Sequence, residues 1–311
     1  MVWTLFILFI LLCLFVDLYL LNAKTKVINN RKAALQSAFW VSLALAFSAV
    51  IYFLYKSDLV TNPTHLRPMD AAMKFITGYL VELSLSVDNL FVIAMIFKAY
   101  KIPTENQHRA LFWGILGAII FRGIVIYLGV LLIQQISWMS YVFGGFLIFT
   151  AFRMLFNDEK EGEEAELSTR GKLSKYLPIS KNLDGDKFWT IENGKKIATP
   201  LFGALILIEI SDVIFALDSI PAIIAITTDT FLVFSSNIFA ILGLRSLYFF
   251  LANMLSKFEY LEYSVVAILI FIGLKLVASH HFEIPEWFSL SFIVLSLATG
   301  IVVSIRKMNK Q

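Results

Sequence analysis

The sequence predicts an all-α polytopic membrane protein of about nine transmembrane helices, built around a 3+3 inverted-topology repeat. Three observations carry this. Hydrophobic residues make up 59% and charged residues only 16% of the 311-residue chain, where a soluble domain is nearer a quarter charged. The charge collects in short clusters between apolar runs long enough to cross about 30 Å of hydrocarbon as helices. Two stretches of the chain also resemble each other, acid for acid.

The expected spans are 2–22, 34–55, 70–97, 108–134, 138–156, 198–228, 231–255, 261–279 and 287–305. Several exceed the roughly 20 residues a bilayer needs, which implies tilt or interruption. The first run lacks a basic n-region and a small-residue cleavage site, so it reads as a retained helix rather than a cleaved signal. The one cysteine, Cys13, excludes an intramolecular disulfide and a Cys-rich metal site. Helices one and two (1–56) and the last helix with its tail (286–311) lie outside the repeat, as scaffold or oligomer contacts.

Orientation follows from basic residues in short loops. The first loop holds Lys24, Lys26, Arg31 and Lys32, the third Lys98, Lys101 and Arg109, and the C-terminal end Arg306, Lys307 and Lys310. The alternate loops are poor: Lys56 and Arg67 in one, none in 135–137 or 229–230. This places the N-terminus outside and the C-terminus in the cytoplasm, with the inner (plasma) membrane the expected location. Trp3, Trp138 and Trp287 then fall at the outer interface as an aromatic belt. The net charge of +3 reflects the inside bias and does not argue for nucleic acid.

Residues 157–197 form the one long polar connection, expected in the cytoplasm, with nine acids and eight bases. An acidic run (Asp158 to Glu166) reads as a solvated linker. Asn193-Gly194, between FWTIE and KKIAT, predicts a small β-hairpin.

The repeat pairs 70–156 with 198–279. LSVDNLFVIA (85–94) aligns with FALDSIPAII (215–224), setting Asp88 over Asp218 and Glu82 over Asp212. GAIIFRGIVIYL and ILGLRSLYFFL follow, setting Arg122 over Arg245, and then LIFTAFR (147–153) over LIFIGLK (269–275). The first unit starts outside and the second inside. Inverted repeats of this kind build many secondary transporters, with ion sites near the midplane.

Five carboxylates lie deep in the expected spans: Glu82, Asp88, Glu209, Asp212 and Asp218. Each costs roughly 2.5–3.5 kcal/mol when ionised at a helix centre, so they must face one another, a cation or water. Glu209 and Asp212 share a helix face. Glu82 and Asp88 are six residues apart, about 9 Å along a helix and on different faces. Either the acids define sites at two depths, or the helices unwind. Pro221 and the small polar residues Ser84, Ser86, Asn89, Ser211 and Ser219 favour unwinding. An all-oxygen ligand set of carboxylates, the Asn89 amide and hydroxyls suits a hard divalent cation such as Mn, Ca or Mg. Protons are the candidate coupling ion, since membrane carboxylates can exchange a proton for a metal. Arg122, Arg245 and Lys275 are candidate charge compensators. His65 and His108 read as solvated loop residues, and the neighbours His280 and His281 point apart.

VELSLSVDNLFVIAMIF, IEISDVIFALDSIPAIIAIT and NIFAILGLRSLYFFLA resemble the TerC/Alx family of integral membrane proteins. The resemblance runs from the first span to the ninth, includes ENGKKIATP, and is greatest to the Alx branch. It implies membership of a superfamily of cation transporters that includes LysE-type exporters, and export of manganese from the cytoplasm. The positions matching the family's motif are Glu82, Asp88, Asn89, Glu209, Asp212 and Asp218. The family takes its name from tellurium-resistance loci, but tellurite is an anion that an acidic site repels.

The expected function is divalent cation transport by alternating access, with no covalent cofactor and no catalysis. The competing reading is a membrane scaffold whose buried acids are structural and whose 157–197 loop is a docking surface. An intramembrane aspartyl protease is disfavoured because no GxGD pattern surrounds Asp88 or Asp218.

Overall fold

The computed structural model describes residues 2–17, 30–62, 65–136, 138–156, 178–180, 182–192, 194–251, 261–278 and 284–308, without the side chains of Asn30, Val87, Asp88, Phe91, Gln134, Arg153, Leu217, Asp218, Leu251, Leu261 and Glu262. The acidic run, His280 and His281 lie outside the described residues.

Nine helices are described: α1 (Val2–Phe15), α2 (Asn30–Lys56), α3 (Pro68–Ala99), α4 (Thr104–Gln135), α5 (Met139–Phe156), α6 (Pro200–Ile224), α7 (Thr230–Leu251), α8 (Leu261–Ala278) and α9 (Glu286–Met308). By length and composition α2, α4, α6, α7 and α9 can cross a membrane, while α1, α5 and α8 contain shorter apolar stretches. The sequence suggested nine spans. The 32-residue α3 carries Asp70, Lys74, Glu82, Asp88 and Lys98 along its length.

Local sequence sets the helix starts. Thr199 precedes α6: its hydroxyl donates to the Lys187 carbonyl (2.7 Å) and accepts from the Phe202 amide (3.4 Å), and Pro200 follows at the first helical position. That is a Ser/Thr-type cap with proline where no amide is needed. Asp229 caps α7, its carboxylate accepting from the amides of Phe231 (3.0 Å) and Leu232 (3.2 Å). Ahead of α6, β1 (Trp189–Glu192) pairs antiparallel with β2 (Lys195–Ala198), Glu192 opposite Lys195. Gly194 sits in the tight turn at φ +73°, a conformation glycine takes freely.

The principal helix pairings are α5 with α8, α3 with α7, α4 with α6, α2 with α7 and α3, α9 with α8 and α3, α3 with α6, and α4 with α7. α7 lies at the centre, most of its side chains buried. Helices α1 and α2 wedge against it through aromatic rings. Phe47 of α2 lies 4.6 Å from Phe239 of α7 between ring centroids, and Phe6 of α1 lies 5.4 Å from Phe231. The outward faces are apolar too: Leu8 and Leu12 on α1, Ile120 and Ile124 on α4, and Leu295 and Val302 on α9 are exposed. A bundle with an apolar core and an apolar rim is suited to lipid rather than water. Trp3, Trp138 and Trp287 are likewise exposed.

Both acid-bearing helices are continuous. α3 runs from Pro68 to Ala99, and α6 passes through Pro221 before ending at Ile224. The unwinding expected around the aspartates is not present. Pro221 sits in the last turn of α6, where it removes one bond to the preceding turn, and the helix ends three residues later.

Candidate metal centre

Three polar side chains from three helices meet inside the bundle. Arg122 of α4 is fully buried. Its Nη1 donates to Glu82 Oε1 of α3, and its Nη2 donates to Asp212 Oδ1 of α6 at 2.7 Å. Each sits near the midpoint of its helix. Glu82 and Asp212, which align with each other in the sequence, are therefore bridged by one guanidinium, a charge-assisted contact among the stronger polar interactions available to a protein.

The bridge uses one oxygen of each acid. Glu82 Oε2, Asp212 Oδ2 and Glu209 Oε2 are buried with no hydrogen-bond partner among the described residues, and so are the hydroxyls of Ser86 and Ser219. Buried polar atoms are normally satisfied, and a buried carboxylate oxygen without a donor calls for a cation, a proton or water. Glu82, Ser86 and Asn89 follow one another at helical spacing along one face of α3. Glu209, Asp212 and Ser219 do the same on α6. With all three carboxylates ionised, Glu82, Glu209 and Asp212 carry three negative charges against the single charge of Arg122, a local excess of two.

A cavity of about 30 Å³ lies alongside, its wall mostly apolar (Leu90 and Ile208 among others), with Asn89 of α3, Ser211 and Asp212 of α6 and Arg245 of α7 also on its lining. That is enough room for a water-sized guest. Glycine shapes the surrounding wall. A Cβ at Gly117 of α4 would collide with the Glu209 carboxylate, so only glycine lets that acid lie against the α4 backbone.

The matching family model is that of the integral membrane protein TerC family, and it covers residues 68–311. The chain belongs to the TerC family. It is 45% identical over 305 residues to an uncharacterized membrane protein of Myxococcus xanthus, covering 98% of this chain and 92% of the relative. It is 39% identical over 305 residues to a protein of Escherichia coli (strain K12) described as a proposed membrane-bound redox modulator, Alx, covering 98% and 94%. A relative of the same description from Photorhabdus laumondii is 40% identical over 306 residues, covering 98% and 94%. No solved structure matches the chain.

Within this TerC chain, the residues singled out from the sequence divide as follows. Glu82, Asp212 and Arg122 form the bridge, Ser86 on α3 and Glu209 and Ser219 on α6 place buried polar atoms along the faces that carry its acids, and Asn89, Ser211 and Arg245 line the cavity. The side chains of Asp88 and Asp218 lie outside the described ones. Among the described residues, no group of three or more His, Cys, Asp or Glu side chains closes around a metal position.

Three expectations are corrected. Among the described side chains Arg245 pairs with Asp17 and not with a motif acid: its Nη2 meets Asp17 Oδ2 at 2.6 Å and the Asp17 carbonyl at 2.8 Å. Lys275 likewise pairs with Glu286, at 3.3 Å. His108 is not a solvated loop residue. It lies in α4 with its ring 4.2 Å from that of Phe249, and both ring nitrogens are buried. Asp17 is the functional candidate that the sequence reading passed over. Its one signal was an acid at the end of an otherwise apolar helix, and it has no counterpart within the repeat.

Proposed function

We propose that this TerC protein carries a divalent metal cation across a membrane, with manganese moving out of the cytoplasm. The carrying observation is the set of unpartnered carboxylate oxygens on Glu82, Asp212 and Glu209, which once ionised exceed the charge of Arg122 by two. A divalent cation balances that excess, and oxygen donors of this kind suit manganese, calcium or magnesium. Asp88 and Asp218, on the same two helices, complete the proposed ligand set, with Asn89 as amide donor and Ser86, Ser211 and Ser219 in support. Protons are the proposed counter-substrate, taken up by the carboxylates as the metal leaves.

The proposed machinery is the inverted repeat, α3–α5 against α6–α8. Exchanging α3 with α6, α4 with α7 and α5 with α8 turns the α3–α7 pairing into α6–α4 and returns α3–α6, α4–α7 and α5–α8 to themselves. These are the principal pairings among the six helices, as a two-fold axis in the membrane plane requires. Rocking one unit against the other would expose the acids to each side in turn. In this reading all nine helices span the inner membrane, the N-terminus is outside, and both the C-terminus and the 157–197 connection are cytoplasmic. The redox description of the Alx relatives finds no dithiol in this chain, which has one cysteine. A redox effect here would follow from the metal moved.

The test is metal flux in proteoliposomes for manganese, calcium, magnesium and zinc, with and without a pH difference. Wild type is compared with folded Asp88→Asn, Asp218→Asn and Glu209→Gln. Manganese flux in wild type that each substitution abolishes is the expected result. A wild type that moves none of these ions under any gradient would overturn the reading and leave the scaffold alternative in front.

A further inference from the structure

The two repeat-equivalent arginines are used differently. Arg122 reaches into the acids and bridges Glu82 to Asp212. A two-fold operation on that arrangement would send Arg245 to the same two carboxylates. Arg245 does line the cavity that Asp212 and Asn89 line, and it is almost completely buried. Yet its guanidinium turns to Asp17, which grips it through both a carboxylate oxygen (2.6 Å) and the backbone carbonyl (2.8 Å). Asp17 follows α1, outside the repeat altogether, and its side chain is only 7% exposed.

The geometry points to Asp17 as a positioning residue that holds the Arg245 charge away from the Glu82–Asp212 carboxylates, keeping their field open to a metal cation. This rests on the metal reading of that site and names a regulator of it. The physics is a competition between cations. A guanidinium in a low-dielectric cavity beside unsatisfied carboxylates is a tethered competitor at very high effective concentration. A buried arginine needs a carboxylate. Asp17 supplies it here, and Asp212, which lines the same cavity as Arg245, is the partner proposed to take over when Asp17 is lost. The first helix is then part of the site's electrostatics as well as its scaffold.

The experiment uses full-length protein in detergent, with Mn²⁺ alone as the ligand, read by calorimetry and by manganese spin resonance. Asp17→Asn is expected to weaken Mn²⁺ binding about tenfold or more, roughly 1.4 kcal/mol. Adding Arg245→Gln to Asp17→Asn removes the released cation and should recover at least part of the affinity. A metal-free readout accompanies this: the thermal-shift cycle between Arg245→Gln and Asp212→Asn. It should be additive with Asp17 present and become non-additive by about 3 °C in the Asp17→Asn background, where Arg245 has Asp212 as its new partner. Wild-type affinity in Asp17→Asn, or a double variant no better than Asp17→Asn, overturns the proposal. So does an additive cycle in both backgrounds. If wild type itself binds no manganese, the metal reading fails, and the cycle still decides whether Asp17 positions Arg245.

Discussion

The Glu209 carboxylate lies directly over the backbone of Gly117, in space that any other residue's Cβ would fill. The atoms in the way are the far end of a flexible side chain, so a methyl group there would move the acid and not the helix. Gly117→Ala should therefore fold normally and lose function. The expected result is a melting temperature within about 2 °C of wild type, with manganese affinity or flux down about tenfold. Equal flux in the folded variant would show that Glu209 takes no part in holding the ion.

Arg122 separates a structural role from a transport role. Removing it leaves Glu82 and Asp212 buried without their shared donor, and breaking a buried pair costs about 3–5 kcal/mol. Arg122→Gln should sharply lower folded yield and thermal stability in detergent. Arg122→Lys keeps the charge but cannot present two parallel donors, so it should be intermediate. Neutralising both acids in the Arg122→Gln background (Glu82→Gln with Asp212→Asn) should recover stability without recovering transport. A stable Arg122→Gln would mean the carboxylates have another counter-charge.

Much of this was legible in the sequence because membrane helices announce themselves by length and hydropathy, and because charge inside them is rare enough to stand out. Glu82, Asp212 and Arg122 could be picked from the text on those grounds alone. The Asn193-Gly194 turn marked the hairpin through glycine's access to positive φ. What stayed hidden was partnership. Arg122 and Arg245 align with each other in the sequence, and nothing in their local sequence says that one meets Glu82 and Asp212 while the other meets Asp17, 228 residues away. Continuity of α3 and α6 was also hidden, since Pro221 and the nearby serines are compatible with a break or with a helix that tertiary packing keeps intact. His108 looked like a loop residue because Pro103 and its polar neighbours mask a helix that starts at Thr104.

The contact of α5 with α8 supplies the opposite glycine case. A Cβ on Gly144 would sit 2.8 Å from the Gly273 carbonyl oxygen, and one on Gly273 would sit 2.9 Å from that of Gly144. Both obstacles are backbone, so nothing can rotate away, and the helices must part. Small residues at such crossings let backbones approach closely in membranes. Gly144→Ala and Gly273→Ala should each destabilise by about 1–3 kcal/mol, seen as a lower melting temperature. The loss should appear with or without metal, unlike the Gly117→Ala effect. A neutral outcome for both would show that the α5–α8 contact is looser than this spacing.

At the end of the bundle where α3 begins, Glu286 of α9 holds two cations. Its carboxylate takes Lys74 of α3 at 2.9 Å and Lys275 of α8 at 3.3 Å. Lys74 also donates to the Ile226 carbonyl just past α6, and Lys275 to Ser289. The three side chains are 14%, 16% and 11% exposed, whereas Arg67, in the nearby pair with Asp70, is 84% exposed. Exposed pairs contribute about 0–1 kcal/mol and fade with salt, while enclosed ones are screened much less. Glu286→Gln would leave two lysines facing each other at the wall of a cavity of about 930 Å³. It should cost about 2–3 kcal/mol, somewhat under the fully buried case, and the loss should persist in 1 M salt, at roughly a 3 Å Debye length. Asp70→Asn should cost little at low salt and nothing at high salt. If the two substitutions behave alike, Glu286 is a surface charge and does not tie α3, α8 and α9 together. If only Glu286→Gln destabilises, α3 and α8 are fastened at this end through α9, and any movement of α3 against α8 must first break those contacts.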